Sequence, residues 1–69
     1  MYIVELESGV YLAGWDGDPG RTLVRENALL FKSWRAAKVG VRRALRYRKF
    51  KDIAVVPVSI AQHPQTKFV

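Results

Sequence analysis

The chain has no cysteine, one histidine and no long apolar run. Without thiols it has access to neither a disulfide framework nor a thiolate zinc site, the staples small domains most often use. The single histidine, His63, sits near the C-terminal end with a proline after it, a poor setting for a general base or metal ligand. No stretch approaches the roughly eighteen apolar residues of a membrane span. The amino terminus alternates polar and apolar side chains, without a basic leader or cleavage site. A cytoplasmic protein with no membrane partner is therefore expected.

The chemical motifs are equally sparse. Asp16-Gly17-Asp18 begins like a calcium loop but lacks the third oxygen ligand and the closing glutamate at the required spacing. The glycines between Gly14 and Gly20 have no lysine and serine or threonine to complete a phosphate cradle. Ser8, Ser33 and Ser59 are explained by a turn, a helix cap and a strand, and Glu5 and Glu7 share one face of a strand. No catalytic constellation emerges, so neither an enzyme nor a metal or cofactor is expected.

What the chain does contain is a segregated charge. Residues 1–31 sum to −3, residues 32–51 to +9 without a single acid, and residues 52–69 to 0, which recovers the net +6. At 69 residues there is room for one domain and one small core, and 49% hydrophobic content is enough to build it. Residues 1–69 are read as a single domain, with about 62–69 as a flexible tail.

Tyr2–Glu7 and Val10–Trp15 are rich in β-branched and aromatic residues, and Ser8-Gly9 supplies a two-residue turn, so a hairpin is predicted. Its simplest register sets Leu6 opposite Tyr11, Val4 opposite Ala13 and Tyr2 opposite Trp15 on the core face. Glu7 with Val10, Glu5 with Leu12 and Ile3 with Gly14 fall on the other face. Asp16–Arg21 reads as an exposed loop, Thr22–Val24 as a short third strand, and Arg25–Asn27 as a turn before Ala28–Phe31.

Ser33 then caps a helix from about Trp34 to Tyr47, with Trp34, Ala37, Val41, Ala44 and Leu45 on its apolar face. Gly40, on the flank of that face, reads as a point of close packing. Asp52–Ile60 is the last strand, with Ile53 and Val55 on one face and Ala54, Val56 and Val58 on the other. Pro57 confines it to an edge or a bulge. The expected fold is a two-layer α+β sandwich: an antiparallel sheet with one helix packed on it, in the order β-β-(β)-α-β.

On the same wheel Arg35, Lys38, Arg42, Arg46 and Lys49 form a stripe beside the apolar face, broadened by Arg43, Arg48 and Lys51. The helix macrodipole accounts for cations at its C-terminal end but not for Arg35 or Lys38. A merely solvated face normally interleaves glutamates, and none are present. The pattern points to an anion-binding surface that grips DNA or RNA phosphates through Arg35, Lys38, Arg42, Arg43, Arg46 and Lys49. Tyr47 is the candidate to stack on a base, Phe50 is expected to pack over the helix end, and Trp34 is placed in the core.

Two other readings stay open. In one, an interaction module or inhibitor docks this helix on an acidic host-protein surface; in the other, a small structural subunit pairs through an exposed strand.

Tyr2-Ile3-Val4-Glu5-Leu6, Gly9-Val10-Tyr11-Leu12-Ala13 and Ala28-Leu29-Leu30-Phe31-Lys32-Ser33 followed by Ala37 resemble a pattern common among short bacteriophage and prophage proteins. Those proteins join an N-terminal hairpin to an alanine-x-x-phenylalanine strand and a capped helix. The resemblance implies a phage accessory or host-directed protein acting in the host cytoplasm. The strand-to-helix portion is also similar to the hybrid-binding domain of ribonucleases H and, more distantly, to arm-binding domains of phage integrases, families that bind nucleic acid. The helix that the former places before Phe31 is missing here, and no base-contacting residue carries over.

Overall fold

The computed structural model describes residues 1–17 and 19–59. Four strands, β1 (Tyr2–Glu7), β2 (Val10–Leu12), β3 (Arg21–Thr22) and β4 (Ala54–Pro57), form one antiparallel sheet in the order β3-β2-β1-β4. A single helix, α1 (Trp34–Tyr47), packs on β1 and β4. This is the α+β two-layer arrangement expected, with the third strand present. The expected C-terminal tail and His63 lie outside the described residues.

The hairpin turns at Ser8-Gly9, where Gly9 takes φ +76°, but its register departs from the simple one. Glu5 pairs with Tyr11 and Glu7 with Val10, leaving Leu6 as the extra residue of a β-bulge. A shift of one residue exchanges the faces of the partner strand. Leu12, rather than Tyr11, therefore joins Val4 and Leu6 in the main core, and Tyr11 packs beside Ile3 on the opposite face. The exchange puts the wholly apolar side chain inside and leaves the phenol half exposed.

Beyond the bulge β1 and β2 separate, and the chain from Ala28 to Phe31 fills the fork. Leu29 N–H donates to the Leu12 carbonyl at 2.9 Å, while Tyr2 and Phe31 exchange backbone hydrogen bonds of 2.9 and 2.8 Å. Ala13 bridges Ala28, so the expected Val4–Ala13 and Tyr2–Trp15 pairs are replaced by contacts to this wedge. Alternation along the wedge sends Phe31 into the core under α1, and Ala28 and Leu30 to the far face against Ile3. Ile3 is thus fully buried on the side its neighbouring glutamates had marked as solvent-facing.

Each short strand has a local reason to stop. Ala13 N–H turns to the Gly20 carbonyl at 2.9 Å, closing the glycine-rich loop and leaving Trp15 outside the sheet. At the end of β3 the Thr22 hydroxyl accepts from Val24 N–H at 3.0 Å, a side-chain turn that competes with the ladder. Val24 then opens the 3₁₀ turn Arg25–Asn27, and Leu23 and Val24 are exposed instead of continuing the strand. β4 is an edge strand ending at Pro57, with Ile53 and Val55 toward the main core and Val56 and Val58 toward the far face, as the alternation predicts.

α1 begins where expected, with the Ser33 hydroxyl accepting from Ala36 N–H at 3.1 Å. Its buried residues are Ala37, Gly40, Val41 and Ala44. A Cβ added at Gly40 would lie 2.6 Å from Phe31 Cζ, so the absence of a side chain there lets the helix settle directly on the ring. That contact turns the buried face about 40° on the wheel away from the expected one. Trp34 and Leu45, assigned to the core from periodicity, are rotated to the flank and are 57% and 42% exposed.

Candidate nucleic-acid interface

The same rotation relocates the cationic stripe. At about 100° per residue, Arg35, Lys38, Arg42 and Arg46 centre about 150° from the middle of the buried face, nearly opposite it rather than beside it. All four side chains are exposed, as are Arg43 and Lys49. From Arg35 to Arg46 the ridge runs about 17 Å along the helix axis. Lys49 lies past the end of α1, because the chain is already extended at Arg48 (φ −148°, ψ 152°), so it continues the patch from the following loop.

Among the described residues, none of Arg35, Lys38, Arg42, Arg43, Arg46 and Lys49 forms an ion pair with a carboxylate. Glu5 is on the sheet, where it accepts from Gly9 N–H at 3.4 Å. Glu7 lines a shallow hollow with Arg48–Asp52 past the helix end. Glu7 and Asp52 thus share the hollow with Lys49, and Asp16 shares a groove with Arg43, whereas Arg35, Lys38, Arg42 and Arg46 have no carboxylate partner among the described residues. The positive end of the helix dipole lies near Arg35 and offers that side chain no compensation, whereas Arg46 lies in the last turn, where the dipole favours it.

Lys38 Nζ sits 5.4 Å from the centroid of the Trp34 ring. One turn apart on the helix, the two side chains make a cation–π contact that orders the ammonium at the edge of the ridge. Trp34 therefore supports the charged surface rather than the core. Phe50 is half-buried and packs against the core cluster over the helix end, as predicted, and Tyr47 projects from the opposite flank of α1 at 58% exposure.

Arg43 also points to that flank, where it lines a groove with Tyr47 and Trp15. The sequence pattern places Trp15 in the hairpin strand, whereas in the structure it lies in the loop after β2. The signal that could have freed it is the glycine- and proline-rich run directly after it, which ends the sheet.

Among the described residues no group of three or more histidine, aspartate or glutamate side chains is arranged to hold a metal ion, and no helix is long and apolar enough to cross a membrane. What the arrangement offers is a row of exposed positive charges on one helix face, mostly guanidinium, a group able to contact phosphate oxygens bidentately. No family model, curated protein or solved structure matches the chain.

Proposed function

We propose that this chain is a small non-enzymatic protein that binds nucleic acid through the phosphate backbone, using the exposed face of α1. Arg35, Lys38, Arg42 and Arg46 form the central row, and Arg43 and Lys49 extend it at the side and end. The observation that supports this reading is a nine-charge, acid-free segment folded so that four of its helical cations lie opposite the core without carboxylate partners among the described residues. Like charges so close together repel, and an array of phosphates relieves that repulsion while releasing condensed counterions. The resemblance to short phage proteins is compatible with this role, as an accessory protein acting on nucleic acid in the host cytoplasm.

Fluorescence anisotropy with a labelled duplex over a series of salt concentrations tests it. About five neutralised phosphates give a slope near −4.5 in log affinity against log salt. Arg42→Glu/Arg46→Glu should weaken binding by about a hundredfold or more at low salt, because it removes two cations and adds two repulsive charges. A flat salt response, or equal binding by that variant, overturns the reading. If no nucleic acid binds at low salt but an acidic protein is captured stoichiometrically, the ridge is a protein-docking surface instead.

A further inference from the structure

Between α1 and the loop that follows β2 runs a groove of about 450 Å³, within the size range of small-ligand sites. Leu29 and Gly40 line it, Val39, Arg43 and Tyr47 come from the helix, and Trp15 comes from the loop. Two exposed aromatic residues thus line one cleft from different elements, Trp15 at 52% and Tyr47 at 58% exposure.

The loop carrying Trp15 is built, not loosely draped. Ala13 N–H holds the Gly20 carbonyl at 2.9 Å, and Arg21 Nη1 donates to the Pro19 carbonyl at 3.2 Å. Gly20 packs so closely under the loop that a Cβ there would overlap the Trp15 carbonyl oxygen.

Charge identifies the occupant. Arg43 follows Arg42 directly and precedes Arg46 by one turn, so the groove opens beside the cationic ridge and its one basic lining residue continues that ridge inward. A nucleic-acid strand whose phosphates lie along Arg42 and Arg46 passes this opening. The interior is mostly apolar and aromatic, and Asp16 also lines it, a combination that repels a phosphate but suits a base: a flat ring to stack, and an exocyclic amine for a carboxylate to accept from.

Resting on the phosphate-binding reading, we infer that this groove receives an unpaired base, with Trp15 and Tyr47 as stacking surfaces and Arg43 on the adjoining phosphate. The preferred ligand is then single-stranded nucleic acid, since a base held inside a duplex cannot enter.

The test compares a short mixed-sequence DNA strand, the duplex it forms with its complement and an abasic strand of equal phosphate count, all at one low salt concentration. Loss of one stacked base is worth about a tenfold change in affinity. The base-bearing strand should bind about tenfold more tightly than the abasic one, and Trp15→Ala should erase that difference without changing affinity for the abasic strand or the duplex. Trp15→Phe, which keeps a ring, should retain most of it and guards against a folding defect in the alanine variant. In a Trp34→Phe background, which leaves Trp15 as the sole tryptophan, the base-bearing strand should quench the fluorescence and the abasic strand should not.

Equal binding of base-bearing and abasic strands, both abolished by Arg42→Glu/Arg46→Glu, overturns the groove and leaves the ridge reading standing. Failure of every strand and the duplex to bind overturns both.

Discussion

The two faces of α1 are built on opposite plans. Toward the sheet it presents Ala37, Gly40, Val41 and Ala44, nothing larger than valine; toward solvent it presents Arg35, Lys38, Arg42 and Arg46, among the longest side chains available. The bulk of the core under the helix comes from the other side of the interface, where Phe31, Leu6 and Val4 of β1 and the wedge are the large fully buried side chains; Ile3 and Leu30 are buried on the far face of the sheet. A helix that contributes little volume to the core can approach the sheet closely and needs only a narrow apolar strip to do so. The side opposite the strip is left free of packing duty, and here it carries Arg35, Lys38, Arg42 and Arg46, with Trp34, Leu45 and Tyr47 exposed on the flanks. Under the proposed reading, folding and binding would rest on different residues of the same fourteen-residue element.

If that division holds, variants on the two faces separate cleanly. Phe31→Ala strikes the packed side hardest, because the ring is 2% exposed and seats Gly40; a loss of about 3–5 kcal/mol in urea-denaturation stability is expected, with no fold-independent effect on the ridge. Gly40→Ala should cost about 1–2 kcal/mol. The gain in helix propensity of about 1 kcal/mol is outweighed by the overlap of the new methyl with a ring that is enclosed and cannot swing aside. If Gly40→Ala proves stabilising, the close seat of the helix on Phe31 is wrong.

Trp34→Ala should cost less than about 1 kcal/mol, where a tryptophan in the core would cost about 3–5. A large loss would return Trp34 to the core face and turn the helix back. Smallest of all, Arg42→Glu/Arg46→Glu should leave the unfolding free energy within about 0.5 kcal/mol of the parent while its affinity for nucleic acid collapses. A stability loss of several kcal/mol there would mean that the ridge is part of the fold and that the two plans are not separate.

Local signals were readable where one residue type decides a local geometry. Ser33 has the oxygen that a helix start requires, and Thr22 has the hydroxyl that ends β3, although only the helix cap follows from the sequence pattern around it. Gly40 was legible as a close contact, though not what it touches. The hairpin itself was legible, but its bulge was not. Leu6–Tyr11 and Glu5–Tyr11 pairings satisfy the turn equally well, and the choice between them depends on whether Leu12 or Tyr11 meets a helix more than twenty residues away in the chain. The groove was half legible: Tyr47 could be proposed for stacking from its place on the wheel, whereas Trp15 gains its position only because the wedge takes the place in the sheet that a longer β2 would have filled.

The order of residues by itself determined the segregated charge, the start and end of α1, the small residues at 37, 40 and 44 that allow close packing, and the spacing that puts four cations on one side of the helix. Each is a property of neighbours within a turn or two, governed by backbone hydrogen bonding and side-chain period. Which apolar side chains go inside was settled only in the folded molecule. The seating of Gly40 on Phe31 and the shift of β1 against β2 are packing choices between distant segments, and a rotation of about 40° is enough to move Trp34 and Leu45 out and set the arginine row opposite the core.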